Sequence, residues 1–571
     1  MALRIALQLV KKPRQKFGSN MNNPLCFKSI AELAELIRTK AVSPVEVVEA
    51  FLKRIKALDN KVNAFITLTG ELALNQARVA ETEITAGRYR GPLHGIPIGL
   101  KDIYNTAGIL TSGHSRIGIN NVPAVDSTVT ANLYRAGALL MGKLATHEFA
   151  HGGPSFDLPW PPARNPWHLA HFSGGSSSGP GAAVAAAFVP GAMGTDTGGS
   201  IRTPAALCGI AGLKPTYGRI SRAGVLPNSF TFDHCGPMAW TVEDCAILLQ
   251  ATAGYDPLDV TSSAEAVPDY RLAMQGGLRG LRIGVLRHLW QKDLHVDDHL
   301  SRATDSALEV FSKLGARLED VCIRPSQEYH DVKTVISLSE LFSVYRPELI
   351  SRADQFGEDF LGRGGLAGCL FQAADYVCAQ QLRRKMLEEA ALLYEKYDVL
   401  VTAGAGPAPR LAAHRTVSFW EKPTMFSPFS VLGNPALIVC CGFTESGLPM
   451  GVQIAGRPFD ESVVLRVGHA FEQATQWRSR RPSLDPLASR PDIQVSPPVP
   501  CESEASGKIR DAVWHAARLS GLKLDESQFA HLLRAAPYAL AMSERLRNTP
   551  MKALEPAATF QFGRNHSYGE K

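Results

Sequence analysis

The chain has no run of about eighteen apolar residues, the length a membrane-spanning helix needs, so no membrane association is expected. Charge of one sign is scarce too. Sixty Lys and Arg against 54 Asp and Glu leave +6 spread over 571 residues, and only short clusters such as Arg478-Ser479-Arg480-Arg481 break the dispersion. Direct nucleic-acid binding is therefore not expected. The ten cysteines fall at no metal-ligand spacing, and Cys440 and Cys441 are adjacent, which suits neither a zinc site nor a disulfide framework. Reduced, mostly buried thiols in a cytoplasmic protein are the expectation. Acids are missing from the first twenty residues, which carry Lys11, Lys12, Arg14 and Lys16. No small-residue cleavage site follows their short apolar stretch, so an unstructured extension, or a start at Met21, is expected in place of a targeting segment.

What is present is an alternation of helix and strand signals typical of a large α/β enzyme. Ser29 opens an amphipathic pattern with Leu33, Leu36 and Ile37 on one face, and Ser43-Pro44 opens a second through Val47, Phe51, Ile55 and Leu58. Asp126-Ser127 cap a helix that ends near Gly137, with a buried strand after it at 138–142. Further strands are expected at 281–286 and 399–402.

Two Gly/Ser segments stand out, 174–179 and 194–204, with Lys101-Asp102 upstream. A nucleophilic serine needs a base within hydrogen-bond reach and backbone N–H donors aimed at the developing oxyanion. Gly198 and Gly199 allow the close backbone approach and positive φ that such a turn asks for, so residues 197–200 are the expected oxyanion hole. The run from Leu93 to Leu100 reads as a strand carrying Lys101 into an apolar interior. A lysine titrates near 10.4 in water; acting as a base at pH 7 takes a depression of about three units, roughly 4 kcal/mol, which burial supplies.

Two other motifs compete. His147-Glu148-Phe149-Ala150-His151 fits the zinc-protease pattern H-E-x-x-H, but Gly152-Gly153-Pro154 follows at once and would break the helix that the pattern requires. Gly175-Ser176-Ser177-Ser178-Gly179 is a literal G-x-S-x-G, with Ser177 as nucleophile of an α/β-hydrolase. The segment before it is a poor strand, however, and His414 lacks a setting for a triad.

The ordered string from Gly174 through the small residues 182–187 to Asp196, Ser200, Arg202 and Pro204 resembles the signature of the amidase signature family. The likeness continues in 208–219, in Asp233-His234-Cys235-Gly236-Pro237-Met238 and in Gly447-Leu448-Pro449-Met450-Gly451-Val452-Gln453, and it spans about 29–475. The resemblance implies a mixed central β-sheet surrounded by helices. It implies amide hydrolysis through an acyl-enzyme, with Ser200 as nucleophile, Ser176 as bridging serine in a cis peptide, Lys101 as base, and Thr197, Gly198 and Gly199 as oxyanion donors. No metal or organic cofactor is implied. The alternatives are the A subunit of the glutamine-dependent tRNA amidotransferase and a non-catalytic amidase-like binding protein.

Substrate contacts are read less directly. Arg363 stands roughly where the amidotransferase A subunit has an arginine for the substrate carboxylate, while Pro423 stands where it has an acid, with Glu421 nearby and Pro428 as the landmark. Phe156 and Trp160 belong to an aromatic, proline-rich loop that is a candidate pocket wall. Ala403 and Cys440 replace residues that are frequently proline in the family.

The expected organisation is an extension over 1–28, an amidase domain over 29–477, a Pro-rich linker over 478–506 and a helical segment over 507–571. That last segment holds helical patterns at 507–519 and 525–547, then 555–560, and has too little core to stand alone. It resembles the small partner subunits of certain amidases, such as that of carboxybiuret hydrolase, fused in cis. The expected partners are a small-molecule amide and, as an allowed assembly, a second copy in a homodimer; the fused segment would replace a separate small subunit.

Overall fold

Eleven strands form one mixed sheet in the computed structural model, which describes residues 23–413, 420, 423–495, 507–549 and 555–556. They are β1 (Phe65–Leu68), β2 (Pro97–Lys101), β3 (Leu139–Leu144), β4 (Gly191–Asp196), β5 (Ala211–Lys214), β6 (His234–Ala239), β7 (Arg282–Val285), β8 (Arg317–Asp320), β9 (Val399–Ala403), β10 (Ala436–Phe443) and β11 (Pro449–Gly456). Their order across the sheet is β1-β3-β2-β4-β6-β5-β10-β11-β9-β7-β8. β2 lies parallel to both β3 and β4, and β4 lies antiparallel to β6. Every residue of β2, β3 and β4 is buried, as expected of a sheet covered on both faces. The mixed α/β class expected above is the one observed.

The elements form where their local chemistry directs. Ser29 and Ser43 each close a capping box, with Glu32 and Glu46 respectively, opening helices Ile30–Arg38 and Pro44–Val62. Helix Ser178–Ala185 is buried at every position. Its small side chains bring its backbone against β3: a methyl group on Gly179 would fall 2.3 Å from the Ala145 nitrogen. That approach seats the helix directly beneath the strands that carry the site.

The expected linker has no regular secondary structure over 480–495 and runs along the amidase body. Lys61 donates to the Asp485 carbonyl at 2.6 Å, Arg490 to that of Asn60 at 3.0 Å, and Arg164 to that of Pro491 at 2.6 Å. Helices Gly507–Leu519 and Glu526–Asn548 follow, the second capped by Asp525. Leu532, Ala536, Ala539, Met542 and Leu546 are buried where this pair packs on helices Ser326–Ser351 and Ala373–Lys396 and on the turn Leu361–Gly365. Two ion pairs fasten the seam. Arg545 grips Asp331 at 2.6 and 2.8 Å, and Arg547 grips Asp375 at 2.6 and 3.0 Å.

Residues 1–22, His414, Glu421, 496–506 and 557–560 lie outside the described residues, and so do the expectations placed on them.

Candidate active site

Strand β2 ends on Lys101, whose side chain is fully buried. Its Nζ donates to Ser176 Oγ at 2.8 Å and to Thr195 Oγ1 at 2.8 Å. Burial lowers this lysine from 10.5 to about 7, with Asp233 and Asp196 opposing more weakly. The register explains the meeting: Leu100 of β2 pairs with Met193 of β4, so the end of β2 faces Thr195 and Asp196 at the end of β4. The strand is shorter than the sequence pattern suggested, because 92–95 form a turn before Pro97.

The two serine loops are tied together at the backbone. Ser177 N–H donates to the Ser200 carbonyl at 3.1 Å, and the Ser176 carbonyl accepts from His147 N–H at 3.0 Å. The Gly175–Ser176 peptide bond is cis. Ser200 is partly exposed, whereas Ser177 is wholly buried. Ser177 Oγ donates to the Thr195 carbonyl at 3.1 Å and accepts from Thr195 N–H at 3.2 Å. A hydroxyl so engaged in the edge of β4 cannot serve as the exposed nucleophile of an α/β-hydrolase.

Asp196 shapes the turn that carries Ser200. Its carboxylate accepts from Gly199 N–H at 2.8 Å and from Ile201 N–H at 3.1 Å, and Arg202 binds it through Nε and Nη2, both at 2.9 Å. Arg202 also reaches Gln453 at 2.8 Å and Ser430 at 2.7 Å, anchoring the turn to β11 and to the 427–431 helix. The charge pair is fully buried, and Arg202 holds Asp196 below the usual carboxylate range. Gly199 has φ +125°, which L side chains rarely adopt, and a methyl there would meet Phe426 at 2.8 Å. Its amide is already committed to Asp196, which corrects the expectation that Gly199 is an oxyanion donor. The amides at Thr197, Gly198 and Ser200 are those left on the turn. Thr197 Oγ1 donates to Asp233 Oδ1 at 2.6 Å, fixing the near end.

A cavity of about 500 Å3 opens beside Thr195 and Asp233, with Phe230, Leu258 and Val260 at its rim. Phe156 and Trp160 do not line it. Phe156 is exposed, and Trp160 sits edge-on against the His114 ring at 5.9 Å, its carbonyl meeting His114 Nε2 at 2.9 Å. Arg363 is buried in the turn Leu361–Gly365, with Nε on both Asp359 oxygens at 3.0 and 2.9 Å. Pro423 is half-buried.

The H-E-x-x-H segment has no continuous helix. Phe149 and Ala150 have φ of +46° and +60°, and each motif residue meets a different neighbour. His147 Nδ1 meets the Gly152 carbonyl at 2.8 Å, His151 Nε2 meets that of Arg363 at 3.3 Å, and Glu148 accepts from Ser115 Oγ at 2.5 Å and Gly357 N–H at 2.8 Å. Among the described residues no group of three His, Cys, Asp or Glu side chains is placed to hold a metal ion.

Two neighbours of these loops have no role in the sequence reading. Thr195, second partner of Lys101, lay inside the motif without a role. Lys333, in the helix Ser326–Ser351, lies against Gly198 and was not singled out. A lysine among apolar residues of a helix buried on most sides was the available signal.

A family model described as Amidase matches residues 46–465. The chain is 38% identical over 484 residues to the A subunit of the glutamyl-tRNA(Gln) amidotransferase of Geobacter metallireducens, covering 80% of this chain and 99% of that one. Native peptide amidase from Stenotrophomonas maltophilia is similar in structure, with a TM-score of 0.70, 31% identity and coverage of 80% of this chain and 98% of its own. So is a chain from a vestigial protein complex that bears on the evolutionary origins of an s-triazine catabolic enzyme, at TM-score 0.73, 31% identity and 78% and 98% coverage. The chain belongs to the amidase family, and the bond it hydrolyses is an amide C–N bond.

Proposed function

We propose that Lys101, Ser176 and Ser200 form the catalytic relay of a small-molecule amidase. The observation that carries this reading is the buried Lys101 Nζ at 2.8 Å from Ser176 Oγ, with its pKa brought to about 7 by burial. A neutral amine there accepts a proton through Ser176 as Ser200 attacks the amide carbonyl. The amides of Thr197, Gly198 and Ser200 hold the tetrahedral oxyanion, and the helix Arg202–Cys208 begins just beyond them. The same relay returns the proton to the departing ammonia or amine, and water then hydrolyses the acyl-enzyme. Nothing in this sequence of steps calls for a metal or organic cofactor.

Labelling with a fluorophosphonate probe, followed by peptide mapping, tests the assignment. Adduct on Ser200 is expected. Adduct on Ser177, or none, would overturn it.

A second reading, supported by the 38% identity to an amidotransferase A subunit, is release of ammonia from glutamine. Pro423 in place of an acid weighs against it. Ammonia release from glutamine at a rate above that from simple aliphatic amides would favour this second reading.

The same proposal treats 507–571 as a built-in small subunit. Its support is the buried face of the second helix and the two arginine–aspartate pairs across the seam. Deleting 507–571 should lower both solubility and Tm; no change in either would remove this part of the reading. Nine described cysteines are unpaired thiols, which supports a cytoplasmic setting. No helix among the described residues is long and apolar enough to cross a membrane.

A further inference from the structure

The cavity of about 500 Å3 beside Thr195 and Asp233 shares its walls with the catalytic groups. Thr195 Oγ1 accepts from Lys101 Nζ at 2.8 Å, and Asp233 Oδ1 accepts from Thr197 Oγ1 at 2.6 Å. One lining residue thus holds the base and another holds the start of the oxyanion turn. Sheet register brings them together: Thr195 and Asp196 of β4 pair with Cys235 and His234 of β6, and both of those β6 residues line the cavity.

The polar groups of the wall are engaged with the protein itself. Asp233 also accepts from Asn228 N–H at 2.8 Å and from Ser229 N–H at 2.9 Å. Arg222 donates to the Phe230 carbonyl at 2.8 Å and to Thr261 Oγ1 at 2.7 Å, and lies 3.7 Å from Asp259. Asn228 Nδ2 donates to the Ala150 carbonyl at 2.8 Å, and His234 Nδ1 meets the Phe232 carbonyl at 2.6 Å. A charged ligand would have to give up its hydration to a wall whose charges are already answered.

The remaining surface is apolar. Ile103, Val225 and Leu226 line the cavity, with Ile103 buried and the other two half-buried. At the rim Phe230, Leu258 and Val260 are 53, 79 and 96% exposed. Large apolar side chains gathered in the open around one cavity mark a surface that binds an apolar partner. The volume lies within the range of about 300–1,000 Å3 usual for small-molecule sites.

We infer that this cavity is the subsite for an uncharged aryl or branched alkyl group joined to the scissile amide, on either its acyl or its amine side. Leu226 and Ile103 wall the group, while Phe230, Leu258 and Val260 set the preference for it. The substrate class is thereby an amide with an apolar substituent, not a small polar one. This rests on the reading of Lys101, Ser176 and Ser200 as the catalytic relay.

Acetamide, phenylacetamide, acetanilide and the 4-carboxy derivatives of the two aryl amides are suitable probes. Release of ammonia or of the aromatic amine is followed for the full-length wild type and for the double variant Leu258→Asp, Val260→Asp, alongside fluorophosphonate labelling of both proteins. The two substituted side chains are exposed, so the fold should tolerate the change. In the wild type at least one aryl amide should exceed acetamide in kcat/KM by about 10- to 100-fold, and its 4-carboxy derivative should lose most of that gain. Preference for phenylacetamide would put the subsite on the acyl side, and preference for acetanilide on the amine side. The double variant should lower kcat/KM for the favoured aryl amide about tenfold, chiefly through KM, while acetamide changes less than about twofold and Ser200 still labels. Acetamide turned over as well as both aryl amides, a 4-carboxy derivative equal to its parent, or equal losses for acetamide and aryl amide in the variant would overturn the inference. Absence of the Ser200 adduct in the wild type would instead overturn the catalytic reading beneath it.

Discussion

Two buried lysines sit on neighbouring parallel strands: Lys143 of β3 pairs in register with Leu100 of β2, the residue before Lys101. Neither side chain is exposed to solvent. Their partners differ. Lys143 has a carboxylate, Asp102, at 3.3 Å, besides Thr111 Oγ1 at 2.5 Å and the Tyr104 carbonyl at 2.8 Å. Lys101 has two hydroxyls. Burial pushes both lysines down, but Asp102 pulls Lys143 back up, whereas the acids acting on Lys101 are answered elsewhere, Asp196 by Arg202 and Asp233 by Thr197 and two backbone amides. The same residue type in the same layer thus meets a carboxylate in one strand and two hydroxyls in the next. The chemistry of the nearest neighbour, more than depth, separates the two.

The sharpest break in this comparison comes from activity. Lys101→Ala and Ser200→Ala should each cut kcat by about 10^4-fold, with Tm little changed, since residues acting as one unit fail together. In the wild type kcat/KM should rise with pH through about 7, as Lys101 becomes neutral, and this limb should vanish in Lys101→Ala. Full activity of that variant at pH 7 would remove the contrast.

Lys143→Met should behave in the opposite way. It strands Asp102 as a buried carboxylate and should cost about 3–5 kcal/mol of stability by denaturant titration, while kcat of the folded fraction stays near that of the wild type. A selective loss of kcat would mean that Lys143 belongs to the reaction.

Smaller, and away from the sheet, is the seam of the C-terminal helices. Arg545→Ala with Arg547→Ala leaves the buried carboxylates of Asp331 and Asp375 without their guanidinium partners. Both arginines are about half exposed, so a cost of about 1–3 kcal/mol is expected, visible as a lower midpoint in urea.

The smallest effect is thermodynamic. Lys101 has a folded pKa of about 7 against 10.5 when unfolded, so the folded state binds fewer protons between those values. Its contribution to stability therefore rises with pH across that window, and the penalty for burying it is complete below pH 7. Replacing it with methionine should raise Tm by about a degree or two more at pH 6 than at pH 9. An equal shift at both values would place the charge of Lys101 outside the linkage.

Much of this molecule is legible along the chain because its signals are local. The capping boxes at Ser29 and Ser43, the strand ending on Lys101 and the two C-terminal helices are written in short-range patterns, and a signature motif compresses Ser176, Asp196, Ser200 and Arg202 into one stretch. The H-E-x-x-H pattern misleads for the same reason. It specifies spacing, but the left-handed backbone at Phe149 and Ala150 turns its residues toward separate partners. The engagement of the Gly199 amide by Asp196 and the seat of Trp160 against His114 are likewise invisible in spacing alone.

Sequence by itself determined the α/β class, the amidase motif and the residue types able to act as base and nucleophile, since propensity, capping and patterning act over a few residues. Tertiary structure alone decided that Lys101 meets hydroxyls while Lys143 meets a carboxylate, that Ser177 is spent on β4, and that Lys333 arrives from a helix more than a hundred residues away to stand beside Gly198. Those outcomes depend on which strands lie adjacent and in what register, and electrostatics in a low-dielectric interior turns on distances that only the packed sheet sets.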